Sequence, residues 1–345
     1  MIKPNYLKKG DTIGLVSPSA PLAGLVPHRV KKTIEALNLM GFNVKIGKNA
    51  LVVNDYVAGN PKKRAKDIND FFKDSRIKAI ISFIGGNHSN QILDYLDFEA
   101  IKKNPKIFLG YSDITVLHFA LLTQCDLVSF YGPSGLNQFA ENPKILPYTK
   151  NYFEKALMEA SPIGEVHSSE KYTEEILDWF KKEDLKKERK MVTNSGWEWI
   201  KKGFGEGAIL GGCISSIIHL RGTKFWPNFK DAIFFWEIPE GYCLEKGESL
   251  ANIDSYLMDL KLSGVFDEIK GMIIGRPFGY TKQETDKLKR MIKRYLNNYD
   301  IPILFNVDIG HTDPMITIPL GVKVRIDSNE MVFKFLESGT KHYEK

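Results

Sequence analysis

Short apolar runs of strand length, separated by segments of helical period, govern what the first half of this chain can become. The runs Thr12–Val16, Phe42–Ile46, Ala79–Ile84, Ile107–Leu109 and Leu127–Tyr131 are rich in Val, Ile, Leu and Phe. Strands covered by helices on both faces read as continuous apolar runs rather than alternating ones. Between them lie segments such as His28–Met40 and Lys62–Phe72, whose apolar residues return every three or four positions. Strand and helix in alternation predict a mainly parallel, doubly wound sheet.

A chain of 345 residues is long enough for two cores of this kind. The first domain is expected over residues 1–160, closing near "SPIGE". Residues 161–206 turn polar, carry Trp179, Trp197 and Trp199, and read as a linker and substrate loop. A second, smaller mixed α/β domain is expected over 207–345. It has strand-like "AIFFWEI" and "GMIIG", a helical pattern at Leu250–Leu262, and a helix opened by a capping box at Thr281 and Glu284. Its end, "ITIPLGVKVRID" and "MVFKFLE", alternates as antiparallel strands do.

With 43% hydrophobic and 26% charged residues the chain is neither disordered nor fibrous. A net charge of +6 is modest, and the densest basic run, "KKEDLKKERK" from Lys181, is interrupted by acids, so it reads as a solvated face and no nucleic-acid polymer is expected as partner. No apolar run approaches the ~20 residues that cross a bilayer, and the N-terminus lacks a signal-like apolar region; no membrane association and a cytoplasmic location are expected. Cys125, Cys213 and Cys243 are widely spaced and set mostly among apolar neighbours, so buried thiols are expected for all three rather than a disulfide or a zinc site.

Candidate chemistry centres on "KIFLGYSDITVLHFALL", Lys106 to Leu122. Ser112 falls between a strand-length run ending at Gly110 and a helix-length run beginning after Asp113. Such a serine either caps the helix or stands on a nucleophile elbow above the sheet. A serine nucleophile needs a base and a group to orient that base. Of seven histidines, His311 differs in following the strand-like "ILFNV" inside the Gly- and Pro-punctuated loop "DIGHTDPMITIPLG". Glu237 ends a very apolar run, where a buried charge needs a partner such as an imidazole. Backbone N–H groups for an oxyanion are available at Asp113 and at the Gly85–Gly86 turn, though a bare glycine pair equally suits a phosphate loop or a plain turn.

Taken in order, "GDTIGLVSPSAP", "IGGNHSN", "GYSD", "YGP", "FFWE" and "GHTDPMITIPLG" resemble the LD-carboxypeptidase family of serine peptidases over essentially the whole chain. Within it the sequence is most similar to the microcin C self-immunity branch. The resemblance implies a flavodoxin-like or glutamine-amidotransferase-like first domain and a homodimer, with no metal or organic cofactor. It implies Ser112 as nucleophile, His311 as base, Glu237 as its orienting partner, and Gly86 and Asp113 as oxyanion donors. Trp179 aligns with a tryptophan that stacks on adenine in that branch. Two departures stand out: Cys213 follows Gly211–Gly212 where that branch often has Asn, and "IPEGYCLEKGE" follows Glu237, leaving Lys246 as the nearest cation for a phosphate.

The implied substrate is a peptidyl- or aminoacyl-nucleotide of the microcin C type. The alternative is a muropeptide losing terminal D-alanine. A dinucleotide site lacks its G-x-G-x-x-G pattern here, and a non-catalytic binding module would not require all three triad residue types.

Overall fold

The computed structural model describes residues 1–343. Strands β1 (Thr12–Val16), β2 (Asn43–Ile46), β3 (Ile77–Ser82), β4 (Ile107–Gly110) and β5 (Phe130–Tyr131) form one sheet in the order β2-β1-β3-β4-β5, every neighbouring pair parallel. That is the flavodoxin-like order, with ligands expected beyond the carboxyl ends of the strands where the order reverses, between β1 and β3. Helices Pro27–Leu39 and Pro61–Lys73 occupy the segments of helical period. The apolar run at 127–131 yields only a two-residue strand, because Leu127 instead bridges Ile2 near the N-terminus.

Four parallel strands, Phe204–Cys213, Ile233–Glu237, Gly271–Gly275 and Ile303–Val307, make the centre of a second sheet. Lys323–Asp327 and Val332–Phe335 form the expected antiparallel pair on one side of it. Ile318–Pro319, from the same alternating stretch, crosses to the first sheet and lies antiparallel to β5. The polar stretch after residue 160 carries more strand than its composition suggests, since Gly164–Glu165 and Glu198–Lys201 form the two edges of the second sheet. The capping box at Thr281 and Glu284 opens helix Lys282–Leu296.

Helix Thr115–Cys125 is apolar nearly all round, as a helix buried on every side must be. Phe119, Leu121 and their neighbours share one core with Ile214, Ile217, Phe229 and Phe234 of the second lobe. Thr115 Oγ1 donates to Ser112 O at 2.6 Å and accepts from Cys213 N at 3.1 Å, so one hydroxyl ties the Ser112 turn to the end of Phe204–Cys213. A Cβ at Gly212 would lie 2.4 Å from that hydroxyl, which is why glycine stands there.

Of the cysteines, Cys125 and Cys213 are buried but Cys243 is exposed, contrary to expectation. Its local neighbours Tyr242 and Leu244 are apolar, yet all three are exposed on a charged, glycine-flanked loop. Among the described residues no helix is long and apolar enough to cross a membrane, and no cluster of His, Cys, Asp and Glu could hold a metal ion.

The loop bearing His311 is fastened by the fully buried Asp308. Its Oδ1 accepts from Arg276 Nη2 at 2.6 Å and Ser169 Oγ at 2.5 Å, and its Oδ2 accepts from Ser169 N at 3.1 Å and Trp197 Nε1 at 3.2 Å. Removing one partner of a buried ion pair strands the other charge. Asp308→Ala is therefore expected to lower unfolding free energy by about 3–5 kcal/mol in urea melts.

Candidate active site

Ser112 begins the turn after β4 with φ of 63°, a left-handed conformation that side chains other than Gly and Asn adopt rarely. The cost is accepted at the tightest point between a strand and a helix, where it lifts Oγ above the sheet. Gly110 relieves the crowding below, since a Cβ there would lie 2.4 Å from Ser82 Oγ. His118 braces the same turn: its Nε2 lies 2.9 Å from Gly110 O and its Nδ1 2.9 Å from Ser129 Oγ. Burial depresses this ring to about 4, so it stays neutral.

The structure brings Ser112, His311 and Glu237 into one line. His311 Nε2 is 3.0 Å from Ser112 Oγ, and Nδ1 is 2.7 Å from Glu237 Oε2. Glu237 has no exposed surface, and its other oxygen accepts from Tyr131 OH at 2.6 Å. The same phenol oxygen accepts from Ser112 N at 3.2 Å. Burial, then the Glu237 charge, hold the Tyr131 hydroxyl far above its ordinary pKa, so it remains a donor.

His311 is itself buried, which alone would favour the neutral ring; the charges of Glu237 and Glu240 and the Glu237 hydrogen bond outweigh that and hold it up at about 9. Glu240 Oε2 lies 3.2 Å from Nε2, on the side of the ring facing Ser112. The Tyr111 ring packs on the imidazole with centroids 5.0 Å apart, and Asn137 Nδ2 donates to the Tyr111 hydroxyl at 2.6 Å.

Gly85 and Gly86 run beside the serine. A Cβ at Gly85 would sit 3.0 Å from Ser112 Oγ and 3.1 Å from Asp113 N, so its absence leaves room against both the hydroxyl and that N–H. Gly86 has φ of 140°, and a Cβ there would collide with Ser19 Oγ at 2.5 Å. The Asp113 side chain does not cap its own helix. Its Oδ2 accepts from His88 N and Ser89 N, both at 2.9 Å, and so fixes the exit of the glycine turn.

Trp179 and Lys246 do not join this cluster. Trp179 is half-buried with the Arg29 guanidinium 4.1 Å over its ring; Arg29 donates to Leu136 O at 2.7 Å, one residue before the Asn137 that holds Tyr111. Lys246 is exposed on the loop after Glu237. The residue of that loop that reaches the imidazole is Glu240. Sequence reasoning missed Glu240, Tyr131, Tyr111 and Thr115. "YGP" and "GYSD" flagged the tyrosines as motif residues, but nothing in their spacing tells which hydroxyl meets the carboxylate.

Residues 13–132 match the LD-carboxypeptidase N-terminal domain and residues 206–326 the LD-carboxypeptidase C-terminal domain. The chain belongs to the LD-carboxypeptidase family. It is a hydrolase acting on amide bonds. The microcin C7 self-immunity protein MccF of Escherichia coli is 32% identical, with 93% of this chain and 92% of that protein aligned. A Bacillus subtilis relative with a murein peptide carboxypeptidase name is 28% identical over 95% of this chain and 92% of its own. Among solved structures, MccF in complex with glutamyl sulfamoyl guanosine superposes with a TM-score of 0.91 at 30% identity, covering 99% of this chain and 100% of that one. An MccF-like protein from Bacillus anthracis gives 0.89 at 32% identity, covering 98% of this chain and 100% of that one.

Two outcomes follow from the geometry. A methyl group at Gly85 would lie 2.9 Å from Ser112 Cβ and 3.0 Å from its Oγ, so Gly85→Ala is expected to push the serine off its position and slow its labelling by a fluorophosphonate about a hundredfold. The His311 pKa, about 9 folded against an ordinary 6.5, makes its ion pairs stabilising. That contribution is complete below about pH 6.5 and is lost as pH rises through about 9. Urea midpoints of wild type are expected to fall across that window more than those of His311→Gln.

Proposed function

We propose that this chain is a serine peptidase with a Ser112–His311–Glu237 triad, hydrolysing an amide bond in peptidyl- or aminoacyl-nucleotides of the microcin C type. The observation that carries the hydrolytic part is the unbroken hydrogen-bond line from Ser112 Oγ through both nitrogens of His311 to a carboxylate with no exposed surface. Ser112 Oγ attacks the carbonyl carbon while His311 Nε2 takes its proton. Glu237 holds Nδ1–H and stabilises the imidazolium. The N–H groups of Gly86 and Asp113 bind the oxyanion as it forms. When the C–N bond breaks, the proton on Nε2 passes to the leaving nitrogen. Water then attacks the acyl-Ser112 ester, giving a proton to His311 that returns to Ser112 as the acid departs.

The nucleotide part is supported by MccF, solved with glutamyl sulfamoyl guanosine, sharing this fold over nearly the whole chain. It is supported also by Trp179, whose indole is already stacked by Arg29 on one face. A purine on the other face would complete a stack, and a base on an aromatic platform is worth about 1–3 kcal/mol. Lys246 supplies a cation near the phosphate or sulfamate. A second reading, removal of D-alanine from muropeptides, is favoured by the Bacillus subtilis relative's murein peptide name.

A product assay separates the two. Wild type is expected to cleave an aminoacyl-sulfamoyl adenosine and leave a tetrapeptide muropeptide intact; cleavage of the muropeptide alone would overturn the nucleotide reading. Ser112→Ala is expected to bind the nucleotide without turning it over, and undiminished turnover would overturn the triad. Trp179→Ala is expected to weaken AMP binding by about 1–3 kcal/mol by calorimetry.

A further inference from the structure

Glu240 stands outside the triad yet touches it. It sits at the base of a narrow hairpin closed by Glu248 N donating to Pro239 O at 2.9 Å and Gly241 N donating to Lys246 O at 2.7 Å, with Glu240 bridged to Gly247. The tip of that hairpin, Tyr242 and Leu244, is exposed. From this base the Glu240 carboxylate reaches His311 Nε2 at 3.2 Å, while Ser112 Oγ lies 3.0 Å from the same nitrogen. One ring nitrogen thus faces two oxygens. The two carboxylates on the ring differ in kind: the Glu237 side chain is wholly buried, whereas that of Glu240 is 40% exposed. Among the described ion pairs, Glu240 has no cation other than His311.

The remaining charges around the ring are matched. Asp313, two residues on, is paired with Arg189 at 2.7 Å and accepts from Gln138 at 3.0 Å; Arg189 also binds Glu141. Tyr111 on the ring face and Tyr131 and Cys213 around Glu237 are all pushed up by burial and stay neutral. Among the described residues, Glu240 is therefore the one displaceable charge on the imidazole. The leaving nitrogen of a substrate has to come within hydrogen-bond reach of Nε2 to be protonated. A carboxylate bonded to Nε2 competes for that space.

We infer that Glu240 is a positioning residue that keeps the His311 ring proton on Nε2 in the free enzyme, so that substrate has to displace its carboxylate before Ser112 can be deprotonated. The inference rests on the triad reading. An imidazolium bonded to Glu240 is a donor at Nε2 and cannot serve as a base, and the elevated pKa of His311 accords with that resting state. Once the hairpin carboxylate swings to solvent, the Nε2 proton it held is lost to bulk water, and a neutral ring remains with only Glu237 on its Nδ1–H, the arrangement of a single-carboxylate triad.

The pH dependence of kcat/KM reports groups of the free enzyme, and that of kcat reports the complex. With aminoacyl-sulfamoyl adenosine as substrate, Glu240→Gln is expected to move the acid limb of kcat/KM down by about one pH unit or more, and the acid limb of kcat by clearly less, because bound substrate has already displaced Glu240 in wild type. A second measurement needs no turnover: the His311 imidazole C–H resonance, titrated by NMR in substrate-free Ser112→Ala, is expected at lower pH when Glu240→Gln is added. An unmoved titration, or coincident kcat/KM limbs, overturns the role of Glu240 and leaves the triad standing. Undiminished turnover by Ser112→Ala overturns the triad itself, and the inference with it.

Discussion

A carboxylate with no contact with water is the constraint around which this molecule is arranged. Glu237 ends a strand whose five residues are all buried, and an unpaired charge at that depth costs several kcal/mol. Its oxygens are satisfied from opposite directions: by the Tyr131 hydroxyl from the last parallel strand of the first sheet, and by His311 from the loop after Ile303–Val307 in the second. The charge therefore stitches two separately built sheets together at a single point. Because Tyr131 also receives the Ser112 N–H, the same carboxylate fixes where the serine turn lies.

Support for that point comes from polar groups that are themselves buried and hydrogen-bonded to neighbouring elements. Thr115 joins the serine turn to the end of Phe204–Cys213, Asp113 anchors the exit of the glycine turn, and Asp308 with Arg276 clamps the loop that carries His311 to Ser169 and Trp197 of the intervening stretch. None of these groups needs to touch a substrate. They define position by leaving few rotamers open, which is how a set of side chains far apart in the chain is kept within hydrogen-bond distance.

The doubly wound sheet was legible because its strands are buried on both faces and so appear as uninterrupted apolar runs, while Ser112, His311 and Glu237 were legible because each breaks such a run or directly follows one. The glycines of the Gly85–Gly86 turn were legible only as a pair; that Gly85 rather than Gly86 borders the serine hydroxyl depends on backbone angles no composition encodes. Ile318–Pro319 reads locally like the strands after it, and only its antiparallel pairing with β5 assigns it to the other sheet. Glu240 was invisible for a related reason: it is one of several acids in a polar stretch, and its significance comes from a hairpin that folds it back by three residues onto the imidazole. Cys243 misled in the opposite sense, as apolar neighbours in sequence became an exposed hairpin tip.

The helix Thr115–Cys125 is walled in by both lobes and belongs to neither alone. Jaws need a pivot, and here the place a pivot would occupy is filled with close-packed side chains, which resist sliding and separation. Such packing leaves the surface segments at the rim, the hairpin carrying Glu240 among them, as the places where this molecule can yield with least disturbance to its interior.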